Sequence, residues 1–255
     1  MDKRLTFNED AKNYDMFRPT YCKELFDNII NYTRLDKTKY ALEVGIGTGQ
    51  ATKPILETGC YLTAIELGEN LATYSKNKFG DYKKFTIHNI SFEQYMHIPE
   101  NIDLVYSGTA FHWIPEEMGY KKVYDMLRSG GTIALFWNRP SGGESEVYEE
   151  IQSVYRKYMP DVKPTKNMLN QHIYDETIET IKKYGFVDIQ FKLMHQTRKF
   201  NAEDYISLLE TYSDHRILSV DIKVPFYKEI MSIINNHGDD LKIYDTIDLY
   251  LAKKP

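Results

Sequence analysis

Leu42-Glu43-Val44-Gly45-Ile46-Gly47-Thr48-Gly49-Gln50 is the stretch on which the reading of this chain turns. Tyr40 to Val44 is a short apolar run of buried-strand type, and it ends abruptly in glycines. Gly49 to Thr58 then reads as a helix, closed by Gly59. A strand, a glycine loop and a helix in succession form the setting in which a loop can receive a ligand, because glycines allow a sharp turn and leave no Cβ in the way.

Outward from this loop the pattern repeats. Tyr61 to Ile65 reads as a second strand ending in Glu66, and Asn70 to Phe79 as a helix closed by Gly80. Lys84 to His88 is a short third strand and Ile102 to Ser107 a fourth. Glu116 to Arg128 is a helix closed by Gly130-Gly131, and Thr132 to Trp137 a fifth strand ended by Asn138-Arg139-Pro140. Strands alternating with helices at this spacing predict right-handed βαβ units on a parallel sheet, an α/β doubly wound class. Such sheets bind ligands beyond the carboxyl ends of their strands.

After Pro140 the rhythm changes. Helices are expected over Glu144–Tyr158, Tyr174–Tyr184 and Pro225–Asn236, with a break over Pro160–Pro164 and a further helix capped by Asn201. Phe186 to Phe200 and Lys242 to Leu251 alternate as strands. We read a single domain over 1–255, with helical insertions over about 141–170 and 201–236.

The chemistry of the loop separates two cofactor classes. Its glycines are spaced Gly-x-Gly-x-Gly, whereas dinucleotide loops carry Gly-x-Gly-x-x-Gly. Glu43 lies two positions before Gly45, where its carboxylate would repel a pyrophosphate. S-adenosylmethionine (SAM) has no phosphate and carries a sulfonium and an ammonium, so Glu43 favours SAM over NAD. Glu66 follows the loop by about 20 residues, the place from which an acid bonds the ribose hydroxyls of either cofactor.

With Leu42-Glu-Val-Gly-Ile-Gly-Thr-Gly, Glu66 and Leu127-Arg-Ser-Gly-Gly-Thr-Ile-Ala-Leu, the chain resembles the class I SAM-dependent methyltransferases. It is most similar to their type 11 small-molecule branch, which includes enzymes resembling trans-aconitate methyltransferase. Tyr14-Asp-Met-Phe-Arg-Pro-Thr-Tyr, Ser91-Phe-Glu-Gln-Tyr, Ala110-Phe-His-Trp-Ile and Thr211-Tyr-Ser extend the likeness over most of the chain. The resemblance implies a Rossmann-like seven-stranded sheet, parallel except for the last strand. It implies that Gly45, Gly47 and Gly49, with Thr48 among them, approach the methionine part of SAM. Glu66 would hold the ribose with Leu67 beside the adenine, Ser91 and Phe92 would lie at the adenine edge, and Asn89 would stand where many relatives carry Asp. Tyr14 and Arg18 would close over the cofactor from an N-terminal lid helix within about 8–33, and Ser107 at the fourth-strand exit completes the cofactor set.

Methyl transfer from a sulfonium is an in-line displacement, so alignment and exclusion of water matter most. His112, after the fourth strand, is the candidate general base, and Trp113 the candidate wall of the methyl channel. Tyr205 and Tyr212 are candidates for a substrate cavity under the insertion. Arg139, Arg198, His215 and Arg216 are candidates to pair with a carboxylate substrate.

The bulk numbers narrow the partners. A net charge of −5 and the lack of an Asn-Pro-Pro-Tyr motif after the fourth strand disfavour nucleic acid; the resemblance to the small-molecule branch implies a small-molecule acceptor, a carboxylate or other O or N nucleophile. Cys22 and Cys60 have no metal-ligand spacing, so no metal is expected, and they read as reduced thiols. Met1 to Phe7 has no apolar signal region, and no run approaches the roughly 20 apolar residues of a membrane span, which reads as a cytoplasmic chain with no membrane partner. Oligomeric state is left open. Two alternatives stand beside the enzyme: a non-catalytic SAM-binding module and an NAD(P)-dependent oxidoreductase.

Overall fold

A computed structural model describes residues 8, 10–96, 100–160, 171–238 and 240–255. Among these, seven strands form one sheet: β1 (Tyr40–Val44), β2 (Tyr61–Glu66), β3 (Phe85–Asn89), β4 (Ile102–Gly108), β5 (Leu127–Ser141), β6 (Val187–Phe200) and β7 (Leu241–Lys253). Their order is β3-β2-β1-β4-β5-β7-β6. β1 pairs in parallel with both β2 and β4, β2 with β3, and β4 with β5, whereas β7 runs antiparallel to β5 and β6. The switch point therefore falls between β1 and β4, and the glycine loop leaves β1 there.

The buried pattern explains the two-sided cover. Leu104, Tyr106, Ala134 and Phe136 face one side, packed with Leu25, Phe26 and Ile29 of α2 (Lys23–Thr33) and Ile55 and Leu56 of α3 (Thr52–Leu56). Val105, Ile133 and Leu135 face the other, against Val123 and Met126 of α5 (Glu116–Met126) and Tyr174 and Ile181 of α7 (Gln171–Lys183). Strand residues of period two point to opposite faces, so the central strands are apolar on both sides. Each fully buried aliphatic or aromatic side chain contributes about 1.5–3 kcal/mol.

Several elements differ in extent from expectation, and β5 starts at Leu127, directly after the helix ends at Met126, so Gly130-Gly131 lie within the strand and do not close a helix over Glu116–Arg128. α3 is only five residues long, because the loop from Gly45 to Ala51 turns back on itself first. α10 (Val220–Asn236) begins one turn before Pro225, which sits inside the helix. The fifth strand runs on to Ser141 because β7 pairs with it as far as Tyr244. The expected break over Pro160–Pro164 falls, beyond Pro160, outside the described residues.

Of the expected lid segment, only α1 (Ala11–Phe17) lies away from the sheet, since α2 packs on its face. α6 (Glu146–Tyr158), α8 (Ala202–Leu209) and α10 share a separate apolar core around Ile151, Leu208, Phe226 and Ile230. That core sits on Phe200, Leu241 and Ile243, at the same sheet edge as the glycine loop. Asn201 caps α8 as expected, its side chain accepting from the Asp204 N–H at 2.7 Å. Among the described residues no helix is long and apolar enough to cross a membrane.

Candidate active site

A cavity of about 360 Å³ opens at the carboxyl ends of β1, β2 and β4, within the range of roughly 300–1,000 Å³ typical of small-molecule sites. Its wall includes Tyr14, Arg18, Glu43, Gly45, Gly47, Glu66, Leu67, Ser91, Phe92, His112 and Trp113. These come from separate loops that the parallel sheet brings together. Thr48, Gly49, Asn89 and Ser107 are not part of the wall. Thr48 is buried and its hydroxyl accepts from Gln50. Ser107 donates to the Val44 carbonyl at 2.8 Å, locking β4 to β1. Asn89 donates to the carbonyls of Glu66 and Leu67, both at 3.0 Å, and so fixes the exit of β2.

The three loop glycines do different work. All have positive φ, between 59° and 85°. A Cβ at Gly49 would meet the Phe79 ring at 2.2 Å, and one at Gly45 would meet the Ala110 Cβ at 2.6 Å. Those two positions allow close packing of the protein on itself. At Gly47 the nearest atoms, in Gln50 and Tyr14, stand at 3.7 Å, so its missing side chain leaves space in the cavity.

Two carboxylates face this space from buried positions. Glu66 accepts from the N–H groups of Gly47 and Gly68, each at 2.8 Å, and burial pushes its pKa up. Glu43 accepts from the hydroxyls of Thr52 at 2.7 Å and Tyr106 at 2.8 Å. Burial outweighs these donors and, with repulsion from Glu66, lifts Glu43 to about 7.

Across the cavity, His112 accepts at Nδ1 from the Trp137 indole N–H at 3.1 Å. Partial desolvation, with the positive charge of Arg139 nearby, lowers its pKa, so the imidazole is neutral near neutral pH and keeps its proton on Nε2. It therefore presents a hydrogen-bond donor there, not the free lone pair a general base needs. Trp113 stacks obliquely beside it, ring centroids 5.0 Å apart, on the open rim.

α1 closes one side. The Arg18 guanidinium lies between the Tyr14 and Tyr212 rings, 4.9 and 4.5 Å from their centroids, and donates to the Thr211 carbonyl at 2.7 Å. Tyr21, Thr109, Asn138 and Pro140 also line the cavity and were not singled out from sequence. Tyr21 is the last residue of the Tyr14-to-Tyr21 segment quoted above, and Asn138 and Pro140 were read only as part of a strand end. Thr109, with φ 54°, is a β-branched residue in a left-handed conformation at the β4 exit.

Residues 42–135 match a family model described as a methyltransferase domain. An uncharacterized methyltransferase of Schizosaccharomyces pombe is 25% identical over 90% of this chain and 87% of its own length. A "Probable S-adenosylmethionine-dependent methyltransferase" of Saccharomyces cerevisiae is 28% identical over 71% of this chain and 61% of its own. The chain is a class I S-adenosylmethionine-dependent methyltransferase.

Solved structures share the methyltransferase's fold. A Haemonchus contortus phosphoethanolamine N-methyltransferase bound to phosphomonomethylethanolamine and S-adenosylhomocysteine aligns with a TM-score of 0.59 at 18% identity. That alignment covers 100% of this chain and 60% of that structure. The Bacillus subtilis YcgJ protein aligns with a TM-score of 0.56 at 10% identity, over 91% of this chain and 99% of that one.

The cavity of this methyltransferase fits its cofactor chemically. Two buried carboxylates suit a cation and disfavour a pyrophosphate, the reverse of what a dinucleotide site offers. The bare backbone at Gly47 admits close approach, and Ile90, Phe92 and Leu67 offer apolar contact for a base.

Proposed function

We propose that this methyltransferase acts on a small-molecule acceptor through an oxygen or nitrogen nucleophile, with the donor held between Gly47, Glu43 and Glu66 on one side and His112 on the other. The observation that carries the reading is the cavity wall itself, which joins the glycine loop and two buried acids to His112 and Trp113 around one cavity. Glu66 takes the ribose hydroxyls, Leu67, Ser91 and Phe92 flank the adenine, and Glu43 faces the cationic end. Tyr14 and Arg18 cover the cofactor.

SAM, when bound, supplies an activated methyl group: the acceptor's lone pair forms the new bond to carbon while the C–S bond breaks and its electron pair stays on sulfur. The protein's part is alignment. His112 Nε2–H, oriented by Trp137, donates to an oxygen of the acceptor and fixes its lone pair. Trp113 narrows the mouth, through which any proton lost by the nucleophile passes to solvent. The expected result is production of S-adenosylhomocysteine when small alcohols, acids and amines are offered with SAM. His112→Ala should lower kcat about tenfold or more and leave the SAM Kd within about twofold. An equal loss of SAM affinity would place His112 in cofactor binding instead, and no turnover with any small acceptor would remove the acceptor class.

Glu43 makes the methyltransferase's stability pH-dependent. Its folded pKa of about 7 lies above the ordinary carboxyl value, so the folded state holds the extra proton. The resulting stabilisation is complete below the ordinary value and fades as pH rises through about 7. Melting temperature should fall by a few degrees between about pH 5 and about pH 8, and Glu43→Gln should flatten that slope. A cation bound beside Glu43 lowers its pKa, so SAM should bind more tightly at about pH 8 than at about pH 6 and release a proton on binding. Affinity that falls over the same range would place Glu43 away from the sulfonium end.

A further inference from the structure

Pro140 and Tyr212 wall a second cavity as well as the first. It measures about 200 Å³ and is lined by the rings of Tyr148, Tyr155 and Tyr205, with Arg198, Asp214 and His215. Behind the shared wall lies Asp245, wholly buried. Arg198 donates to its two oxygens from Nε at 2.5 Å and Nη2 at 2.9 Å, while Asn138 donates to Oδ1 from Nδ2 at 3.0 Å. Because the carboxylate can only accept, the amide nitrogen of Asn138 must face it and the amide oxygen must face away.

Two buried polar atoms are left without a hydrogen-bond partner by this arrangement: Nη1 of Arg198 and Oδ1 of Asn138. Buried donors and acceptors are nearly always satisfied, and leaving one unmade is costly. Arg198 lines the second cavity and Asn138 the first. One buried carboxylate thus joins a residue of each chamber, and each of the two carries one unsatisfied polar atom.

The charge balance says what the donor is for. The Arg198 cation is matched by Asp245, and Asp214 adds a negative charge to the lining. His215 adds no positive one: burial lowers its pKa to about 4, and its ring nitrogens lie 3.0 Å from the Tyr155 hydroxyl and 3.4 Å from that of Tyr227. Of the four carboxylate-pairing candidates, Arg139 is bidentate to buried Asp248, and Arg216 donates to the Glu210 carbonyl. A chamber with an N–H to give but no net positive charge suits an uncharged oxygen better than a carboxylate.

Resting on the reading of the larger cavity as the donor site, we propose that the second cavity is the acceptor chamber and that it selects a compact uncharged molecule. A carbonyl or ether oxygen of that molecule accepts from Arg198 Nη1, its planar body packs among the tyrosine rings, and its hydroxyl or N–H nucleophile donates to Asn138 Oδ1 beside the donor.

The test titrates protein saturated with S-adenosylhomocysteine with 4-hydroxybenzamide, 4-hydroxyacetophenone and 4-hydroxybenzoate, by calorimetry. The two uncharged probes should bind about tenfold or more tightly than the acid. Arg198→Lys keeps a cation for Asp245, where Arg198→Ala would strand a buried charge, but it removes Nη1. It should weaken the uncharged probes about fivefold or more and leave S-adenosylhomocysteine affinity within about twofold. Preference for the acid, equal probe affinity in Arg198→Lys, or no probe binding to the saturated protein would each overturn the proposal. Failure of S-adenosylhomocysteine itself to bind would instead strike the donor-site reading beneath it.

Discussion

Gly47→Val should reduce SAM affinity by about a hundredfold or more while the protein stays folded. Gly47 holds φ 59° and its N–H donates to Glu66. A side chain in the left-handed region costs about 1–2 kcal/mol, which lies within the roughly 5–15 kcal/mol that stabilises an ordinary domain. The Cβ itself has room, 3.7 Å from Gln50 and Tyr14. The two γ-methyls, however, must enter the cavity between those side chains, where the donor is to lie. Calorimetry with a parallel melting curve separates the effects. Affinity within about threefold of the parent, in a folded variant, would show that Gly47 does not face the cofactor. Gly49→Ala offers the contrast, since its Cβ at 2.2 Å from Phe79 should appear as lost stability first.

Glu66→Ala should weaken SAM by about tenfold or more, or about 1.4 kcal/mol. Part of that loss is the ribose contact and part is the loop, because Glu66 accepts from Gly47 and Gly68 at once. Each backbone N–H left without its charged acceptor costs about 1–3 kcal/mol if it stays dry. Glu66→Gln distinguishes the two parts: it keeps an oxygen for one N–H and loses the second acceptor and the charge. An intermediate affinity for Glu66→Gln with near-parent melting temperature is the expected pattern. Unchanged SAM affinity in Glu66→Ala would count against the ribose assignment.

The sheet was legible because its signal is local. Tyr40–Val44, Tyr61–Glu66 and Ile102–Gly108 are apolar runs closed by polar residues or glycine, and their burial on two faces needs no long-range information. Glu43, Glu66 and the loop glycines were legible because loop chemistry demands those residue types in that order. The division of labour among Gly45, Gly47 and Gly49 was not, since it depends on Ala110 and Phe79, which lie far along the chain. His112 was found by its place after β4, but the Trp137 indole that fixes its tautomer comes from the next strand of the sheet. The second cavity was the least legible feature. Tyr205, Tyr212 and Arg198 were noticed singly, whereas Asp245, which orients Arg198 and Asn138 together, was hidden in the alternation of the last strand. Residues brought together by antiparallel pairing across 47 and 107 positions leave no spacing to read.

The most direct measurement is isothermal titration of the purified protein with SAM, S-adenosylhomocysteine and NAD in parallel. The account predicts micromolar binding of both sulfur compounds, with proton release for SAM, and no binding of NAD. Binding of NAD, or of neither sulfur compound, would contradict it.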